Sequence, residues 1–434
     1  MSITPNEGQT RAIDFILQFL RTPTKREMLL QGSAGTGKTT CVNFVVQHSP
    51  LSFVFTAPTN KAVKVLADMV NRILDGIVPS VTIYKLLGLR LDNDGEVRTI
   101  EQDKERVAAN LQNVDVIVID EASMVNKALK QKINEALMEF PKIKVIYMGD
   151  PFQLPPVKEE YSPAMAIPDV VTLTKVERHD NQILTLATHI RDCILNGGTP
   201  DLISNNDDKG GVFCVKRNRF FELIGECYER DAYKEKPNYA KAMAWRNEAV
   251  GVINDYVRGV LYKELAHDAM FHVGERVVAC SPVCDVQEKK NGQFIPLMAT
   301  DEEGSVNAVK IMPHPVFRQV VCYWLMIQPE YGDEPIECYV PHEKYRIEYD
   351  MLLNNLAEKA KARQGSWSAF WDCKDMFPDV RPCHAITAHR SQGSTYEIAF
   401  VNAIDILSNR NRLESMKCLY VAATRPSRVL VVNK

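Results

Sequence analysis

Apolar residues along the chain keep two rhythms, one of helices and one of short buried strands. Ile13, Ile16, Leu17 and Leu20 recur at helical spacing behind Thr4-Pro5-Asn6-Glu7. A first amphipathic helix is expected there, with Thr4 as N-cap, Pro5 in the first turn and Glu7 as capping-box partner. Residues 28–30 form a short apolar run, followed at once by the glycine-rich stretch 32–39 and then by Cys41, Phe44 and Val45. That succession reads as strand, glycine loop and helix.

The alternation continues with strands at 53–57, 114–119 and 145–148 and a helix from about residue 60. A second series follows: a strand at 242–245, a helix from Asn247, a strand at 398–401, a helix through Leu419 and a last strand at 429–432. Strands alternating with helices imply parallel sheets covered on both faces, with ligands at the strand carboxyl ends. Two stretches break the rhythm. Residues 87–110 are polar, and Asp92-Asn93-Asp94-Gly95 suits a hairpin turn. From 262 to 377, short Val/Ile/Tyr-rich runs broken by Gly and Pro lead into an amphipathic helix carrying Tyr345, Tyr349, Leu352, Leu353 and Leu356. A β-rich insertion is expected there.

Composition narrows the class without naming it. At 434 residues the chain exceeds what one core usually serves. With 45% hydrophobic and 25% charged residues and no apolar run of bilayer length, a soluble cytosolic protein is expected, in the host cytosol if viral, with no membrane partner. The start of the chain lacks the basic-then-apolar pattern of a signal peptide. Eleven cysteines occur singly with no Cys-x-x-Cys, so reduced structural thiols are expected and no metal is implied by them. A net charge of −3 argues against a uniformly basic nucleic-acid binder and leaves room only for a local groove.

The chemistry lies at the strand ends. Gly32-Ser33-Ala34-Gly35-Thr36-Gly37-Lys38-Thr39 fills every fixed position of a phosphate-binding loop, and Thr40 continues it into the helix. Glycines let the backbone amides wrap phosphates, Lys38 neutralises their oxygens, and Thr39 can ligate Mg²⁺. Asp120 and Glu121 end a buried strand, where the first suits Mg²⁺ and the second suits polarising the attacking water. Alone, such a pair is more often an exposed acidic loop; its place downstream of a phosphate loop reverses that. Gln153, in Gly149-Asp150-Pro151-Phe152-Gln153, suits sensing a γ-phosphate, although out of context it reads as a proline-rich turn. Arg178 and Arg425 are candidate cations from the second half, where lone arginines are usually surface charges. Phe152 and Tyr84 suit base stacking or packing equally, while Trp367 and Trp371, four apart on a helix, suit packing.

Taken in order, Gly8-Gln9, the phosphate loop, Ala57-Pro58-Thr59, Asp120-Glu121-Ala122-Ser123, Gly149-Asp150 with Gln153, Arg178, Thr387-Ala388-His389-Arg390-Ser391-Gln392-Gly393 and Val421-Ala422-Ala423-Thr424-Arg425 resemble the motif series of superfamily 1 helicases. The resemblance spans nearly the whole chain. It is closest to class B, the RecD-like group, and within that to compact phage members.

The resemblance implies two RecA-like P-loop domains: 1–177 with a wedge insertion at 87–110, and 178–434 with an SH3-like insertion and helical segment at 262–377. ATP and Mg²⁺ would lie between the two, with 5′ to 3′ movement on single-stranded DNA and unwinding at its junctions with duplex. It implies that Gln9 reads adenine and that Gln153, Arg178 and Arg425 meet the γ-phosphate. It gives Pro58, Thr59, Asn60, Lys61, Thr82, Tyr84, His389 and Arg390 as strand contacts. Tyr84 and Asn60 stand where the family often has histidine, and Pro426 follows Arg425 directly. A monomer is expected, with a single-strand-binding protein or replication proteins as candidate partners. Two other readings stay open: an RNA helicase or translocase, and an ATP-gated nucleic-acid-binding switch.

Overall fold

The computed structural model describes residues 4–71, 78–91, 97–99, 104–156, 158–176, 182–236, 238–290, 293–330 and 334–434. The chain divides into two compact units, one made of residues 1–220, 243–246 and 387–434, the other of 221–242 and 247–386. The expected boundary at 177/178 falls within the first of these units.

The first unit opens with the helix Glu7–Arg21, whose N-cap is Asn6 rather than Thr4. Asn6 Oδ1 accepts from Gln9 N at 2.9 Å, and Gln9 Oε1 accepts from Asn6 N at 3.0 Å. A capping box needs three-residue spacing, which Asn6 and Gln9 have; Glu7 lies one residue from the cap and is too close to close it.

Six strands make the first sheet, and a hairpin interrupts them in sequence. They are β1 (Glu27–Gly32), β2 (Phe53–Ala57), β3 (Ser80–Thr82), the hairpin of β4 (Leu89–Leu91) and β5 (Val97–Thr99), then β6 (Val116–Ile119), β7 (Lys144–Gly149) and β8 (Val170–Leu173). The sheet runs β3-β2-β6-β7-β1-β8, and every neighbouring pair is parallel. Alternating side chains feed two cores. Met28 and Leu30 join Ile16, Val42 and Val118 on one face, while Leu29 joins Val54, Ile117 and Leu129 on the other. Each such side chain, removed from water, stabilises by about 1.5–3 kcal/mol, so β2 and β6, buried throughout, fix the register. The antiparallel β4–β5 pair is the expected hairpin of the polar insertion; its turn, 92–96, lies outside the described residues.

The same unit holds strands Tyr396–Val401, Pro426–Asn433, Gly210–Val215 and Asn205–Asp207, hydrogen-bonded in that order. The first three are parallel and the last closes the edge antiparallel, so this sheet is mixed where a parallel one was expected. Helices Gln182–Asn196 and Arg412–Ala423 pack on it and on each other.

The second unit is built on a five-stranded antiparallel sheet in the order Ile336–Pro341, Val321–Pro329, Glu303–Pro313, Arg276–Ala279 and Val380–Pro382, with a hairpin of Val283–Lys290 and Gln293–Met298. Val277, Val306, Leu325 and Ile327 form its core. The amphipathic helix runs Arg346–Lys361, with Tyr345 at its N-cap, and buries Tyr349. Trp367 is 46% exposed, against the expected packing role; its ring edges onto Phe370, which in turn edges onto Trp371. This unit's buried charge pairs include Lys241–Glu303 at 2.8 Å and Arg258–Glu275 at 2.7 Å.

Candidate nucleotide site and its flanking surface

The phosphate loop leaves β1 at Gly32 and enters the helix Lys38–Gln47 through Gly37, whose φ of 87° puts it in the left-handed region. A Cβ on Gly37 would lie 2.4 Å from Gln9 Nε2, so backbone conformation and space both demand glycine here. No side chain caps this helix, which leaves its first-turn amides and its dipole to an anion. Lys38 Nζ donates to the carbonyls of Gly32 (2.7 Å) and Ser33 (3.3 Å), and Gln9 Nε2 donates to the carbonyl of Thr36 at 3.2 Å.

The parallel order then brings the carboxyl ends of β6 and β7 beside that loop. Asp120 Oδ1 accepts from Glu121 N at 2.8 Å, and Glu121 takes a left-handed φ of 51°. Burial, partly offset by Lys38, holds the Asp120 carboxyl above the usual range. Glu121 is pushed up to about 7 by burial and then by Asp120 and Asp150, against the pull of Arg425 and Lys38. A carboxyl tuned to the working pH inside a cleft is what proton transfer from water requires. Gln153 is buried and its Oε1 accepts from Ser123 Oγ at 3.2 Å, which orients the amide and leaves its NH₂ to donate.

Arg425 follows the C-cap Thr424 of the helix Arg412–Ala423, and Pro426 begins the next strand. The helix ends before the proline, and the arginine side chain folds back: Nε donates to the Val421 carbonyl at 3.0 Å and Nη1 to the Ser394 carbonyl at 3.2 Å. Lys38, Thr39, Asp120, Glu121, Gln153 and Arg425 line one cavity of about 420 Å³, a fitting size for a nucleotide. Gln9, Val65 and Met69 also line it, together with Ala34, Gly35, Gly37 and Thr40 of the loop.

Arg178 lies outside the described residues. The expected strand contacts sit at carboxyl ends of strands, with varied exposure. Thr59 Oγ1 accepts from Ala62 N and Thr82 Oγ1 from Lys85 N, so both threonines start helices. Pro58 is buried, Asn60 half-buried and Arg390 exposed. Lys61 Nζ donates to the Tyr396 hydroxyl at 3.3 Å. Tyr84 packs on the first sheet's core, where burial pushes its phenol up to about 12. Phe152 meets Tyr420 edge-on at 6.0 Å. His389 Nε2 lies 4.0 Å from Glu414, and burial lowers the histidine below its ordinary value.

Among the bonds between the two sheets' elements are two to which no motif points. Tyr420 donates to Asp150, and Arg191 donates to Ser33. No local spacing announces either one; only the chain's closure brings residues 270 and 158 positions apart into contact.

Two family models match the chain: an AAA domain over residues 4–217 and a UvrD-like helicase C-terminal domain over residues 382–432. The chain is 24% identical to the ATP-dependent DNA helicase dda of Enterobacteria phage T4 over 459 residues, covering 96% of this chain and 97% of that one. A RecBCD enzyme subunit RecD of Buchnera aphidicola is 30% identical over 152 residues, 30% of this chain and 23% of that one. In fold, a structure of Pif1 helicases at forked double-stranded DNA aligns with a TM-score of 0.54 at 17% identity over 99% of this chain and 92% of that one. The Bacteroides Pif1 helicase with ADP-AlF3 and single-stranded DNA gives 0.51 at 16% identity, with the same coverage. In motif order, in fold and along its length, the chain resembles the RecD- and Pif1-like helicases of superfamily 1 class B.

Proposed function

We propose that this chain is an ATP-dependent DNA helicase, hydrolysing ATP between two lobes, residues 1–177 and 178–434, and moving 5′ to 3′ on single-stranded DNA. The observation that carries the reading is the single cavity that joins Lys38, Asp120 and Glu121 of the first sheet to Arg425 of the second. Both dda and the Pif1 structures bear names that include helicase and DNA, and the polarity follows from the class B resemblance.

In this reading the loop amides and Lys38 hold the β- and γ-phosphates, and adenine lies toward Gln9, Val65 and Met69. Thr39 and Asp120 would hold Mg²⁺: Asp120 keeps Oδ2 available while Oδ1 takes the Glu121 amide, a donor set of hard oxygens that suits the ion. The bound ion would supply charge neutralisation at the phosphates. Glu121, ionised, takes the proton of the attacking water; Gln153 orients that water or the γ-phosphate; Arg425 neutralises the charge that builds on the γ-oxygens. Arg178 would add a second cation. Closure of the lobes on ATP and reopening after phosphate release would alternate the grip of Thr59, Asn60, Lys61, His389 and Arg390 on the strand, with the 87–110 hairpin as wedge.

Steady-state ATPase assays with Mg²⁺, alone and with oligo(dT) or oligo(rU), test this against Lys38→Ala. Strong stimulation by the deoxy strand, absent in the variant, is expected. Equal stimulation by the ribo strand would favour an RNA motor, and none by either would leave a nucleotide-gated binding protein.

A further inference from the structure

Arg191 is a cation at the phosphate loop that belongs to none of the motifs above. It stands on the helix Gln182–Asn196, which packs on the second sheet and on the helix leading to Arg425. Its Nη1 donates to Ser33 Oγ at 2.8 Å, its Nη2 to Thr188 Oγ1 at 3.2 Å, and its guanidinium lies 5.8 Å from the centroid of the Phe152 ring. Among the described residues, no carboxylate comes within ion-pair distance of this half-buried side chain. An arginine placed so gives charge-assisted hydrogen bonds to neutral hydroxyls, Ser33 of the loop among them.

Ser33 is gripped on two sides. Arg191 holds its hydroxyl, while Lys38 of the same loop holds its carbonyl at 3.3 Å. Neither Ser33 nor Arg191 lines the cavity, so Arg191 meets the loop at the Ser33 hydroxyl and outside the cavity wall. Thr188, one helical turn before Arg191, fixes the guanidinium plane, and the Phe152 ring borders it. Phe152 in turn follows Asp150 in the segment that ends at Gln153.

We propose that Arg191 is a positioning residue of the nucleotide site: it clips the phosphate loop to the second lobe through Ser33, and so couples filling of the loop to approach of that lobe. The inference rests on the ATP reading above. Coupling of this kind is reciprocal: the clip tightens triphosphate binding to the same degree that triphosphate tightens the clip. A diphosphate, which fills less of the loop, draws on it less.

The test compares the parent with Arg191→Gln, Arg191→Lys, Ser33→Ala and the Ser33→Ala/Arg191→Gln double variant. Affinities for fluorescent ATP and ADP analogues are measured beside ATPase kinetics with oligo(dT), and Lys38→Ala serves as the blank. Arg191→Gln should raise KM for ATP about tenfold, the worth of one charge-assisted hydrogen bond, and should weaken ATP more than ADP. Ser33→Ala should match it, the double variant should add nothing further, and Arg191→Lys should recover part of the loss. Independent, additive losses would overturn the proposal, as would a lowered melting temperature with unchanged nucleotide affinity and kinetics. If Lys38→Ala hydrolyses ATP normally, the site reading itself falls and takes the clip with it; normal Arg191→Gln kinetics beside a dead Lys38→Ala would sink the clip alone.

Discussion

Tyr420 donates its hydroxyl to Asp150 Oδ2 at 2.8 Å, and both side chains are buried. Asp150 follows β7 of the first sheet, whereas Tyr420 lies on the helix that precedes Arg425, so one bond joins the segment ending at Gln153 to the turn holding Arg425. The other carboxylate oxygen takes the Phe152 amide at 3.0 Å. Tyr420→Phe leaves a buried oxygen unpartnered, a loss of about 1–3 kcal/mol. Lower kcat for ATP and a lower denaturation midpoint are expected together. A cycle with Asp150→Asn should give a coupling energy of about 1–3 kcal/mol, and strict additivity would mean that the bond does not link the lobes.

Glu121 sets a pH signature. Its carboxyl, pushed up to about 7, acts as a base only when ionised, so kcat/KM for ATP should rise with pH through about 7 and Glu121→Gln should abolish turnover. The same shift acts on stability with the opposite sense. Between the ordinary value of 4.5 and about 7 the folded chain binds more protons than the unfolded one, so this group's contribution falls as pH rises through that window. Glu121→Gln should therefore be more stable than the parent at about pH 8, by on the order of 2 kcal/mol, with little difference at about pH 4. Melting curves at the two pH values check this.

Two glycines should respond to alanine in opposite ways. At Gly37 the left-handed backbone costs about 1–2 kcal/mol for any side chain, and the added Cβ would push Gln9 off the loop. ATP affinity should fall at least about tenfold, read by equilibrium binding. At Gly251, inside the helix Asn247–Tyr262, a Cβ meets nothing within 4 Å. Alanine there should stabilise by about 0.5–1 kcal/mol, with ATPase unchanged.

The Lys241–Glu303 pair belongs to the architecture of the second unit. Both side chains are buried, and Lys241 also donates to the Cys383 carbonyl at 2.7 Å. Lys241→Met alone strands a buried carboxylate and should cost about 3–5 kcal/mol in urea unfolding, whereas Lys241→Met with Glu303→Leu should come close to the parent.

Legibility followed locality. The strand–loop–helix around Lys38 could be read because its constraints are adjacent in sequence: a left-handed turn at Gly37, a buried strand before it, free amides after it. Asp120 was readable for the same reason, lying at the end of four buried residues. Thr4 and Asn6 are both residue types that cap helices, and only the Gln9 partnership singles out Asn6. The four-residue spacing of Trp367 and Trp371 puts both on one side of a short helix, yet does not tell whether that side meets the rest of the unit. Tyr84 and Phe152 were ambiguous between stacking and packing, and both rest against neighbouring side chains here. Arg191 and Tyr420 were invisible, since a bond between distant residues leaves no periodic trace.

The two carbonyls that hold Lys38 bear on how the protein would cycle. With its ammonium lodged on Gly32 and Ser33, the loop carries an internal stand-in for phosphate, so the charge never faces an apolar wall alone. In the ATP reading proposed above, an arriving triphosphate would exchange partners with that lysine and would not rescue a bare cation, which trims the net gain of binding. A departing diphosphate leaves behind a lysine that already has somewhere to go. On that reading, modest grip on the product would be built into the same backbone that grips the substrate, an arrangement suited to a protein that must let go as often as it holds on.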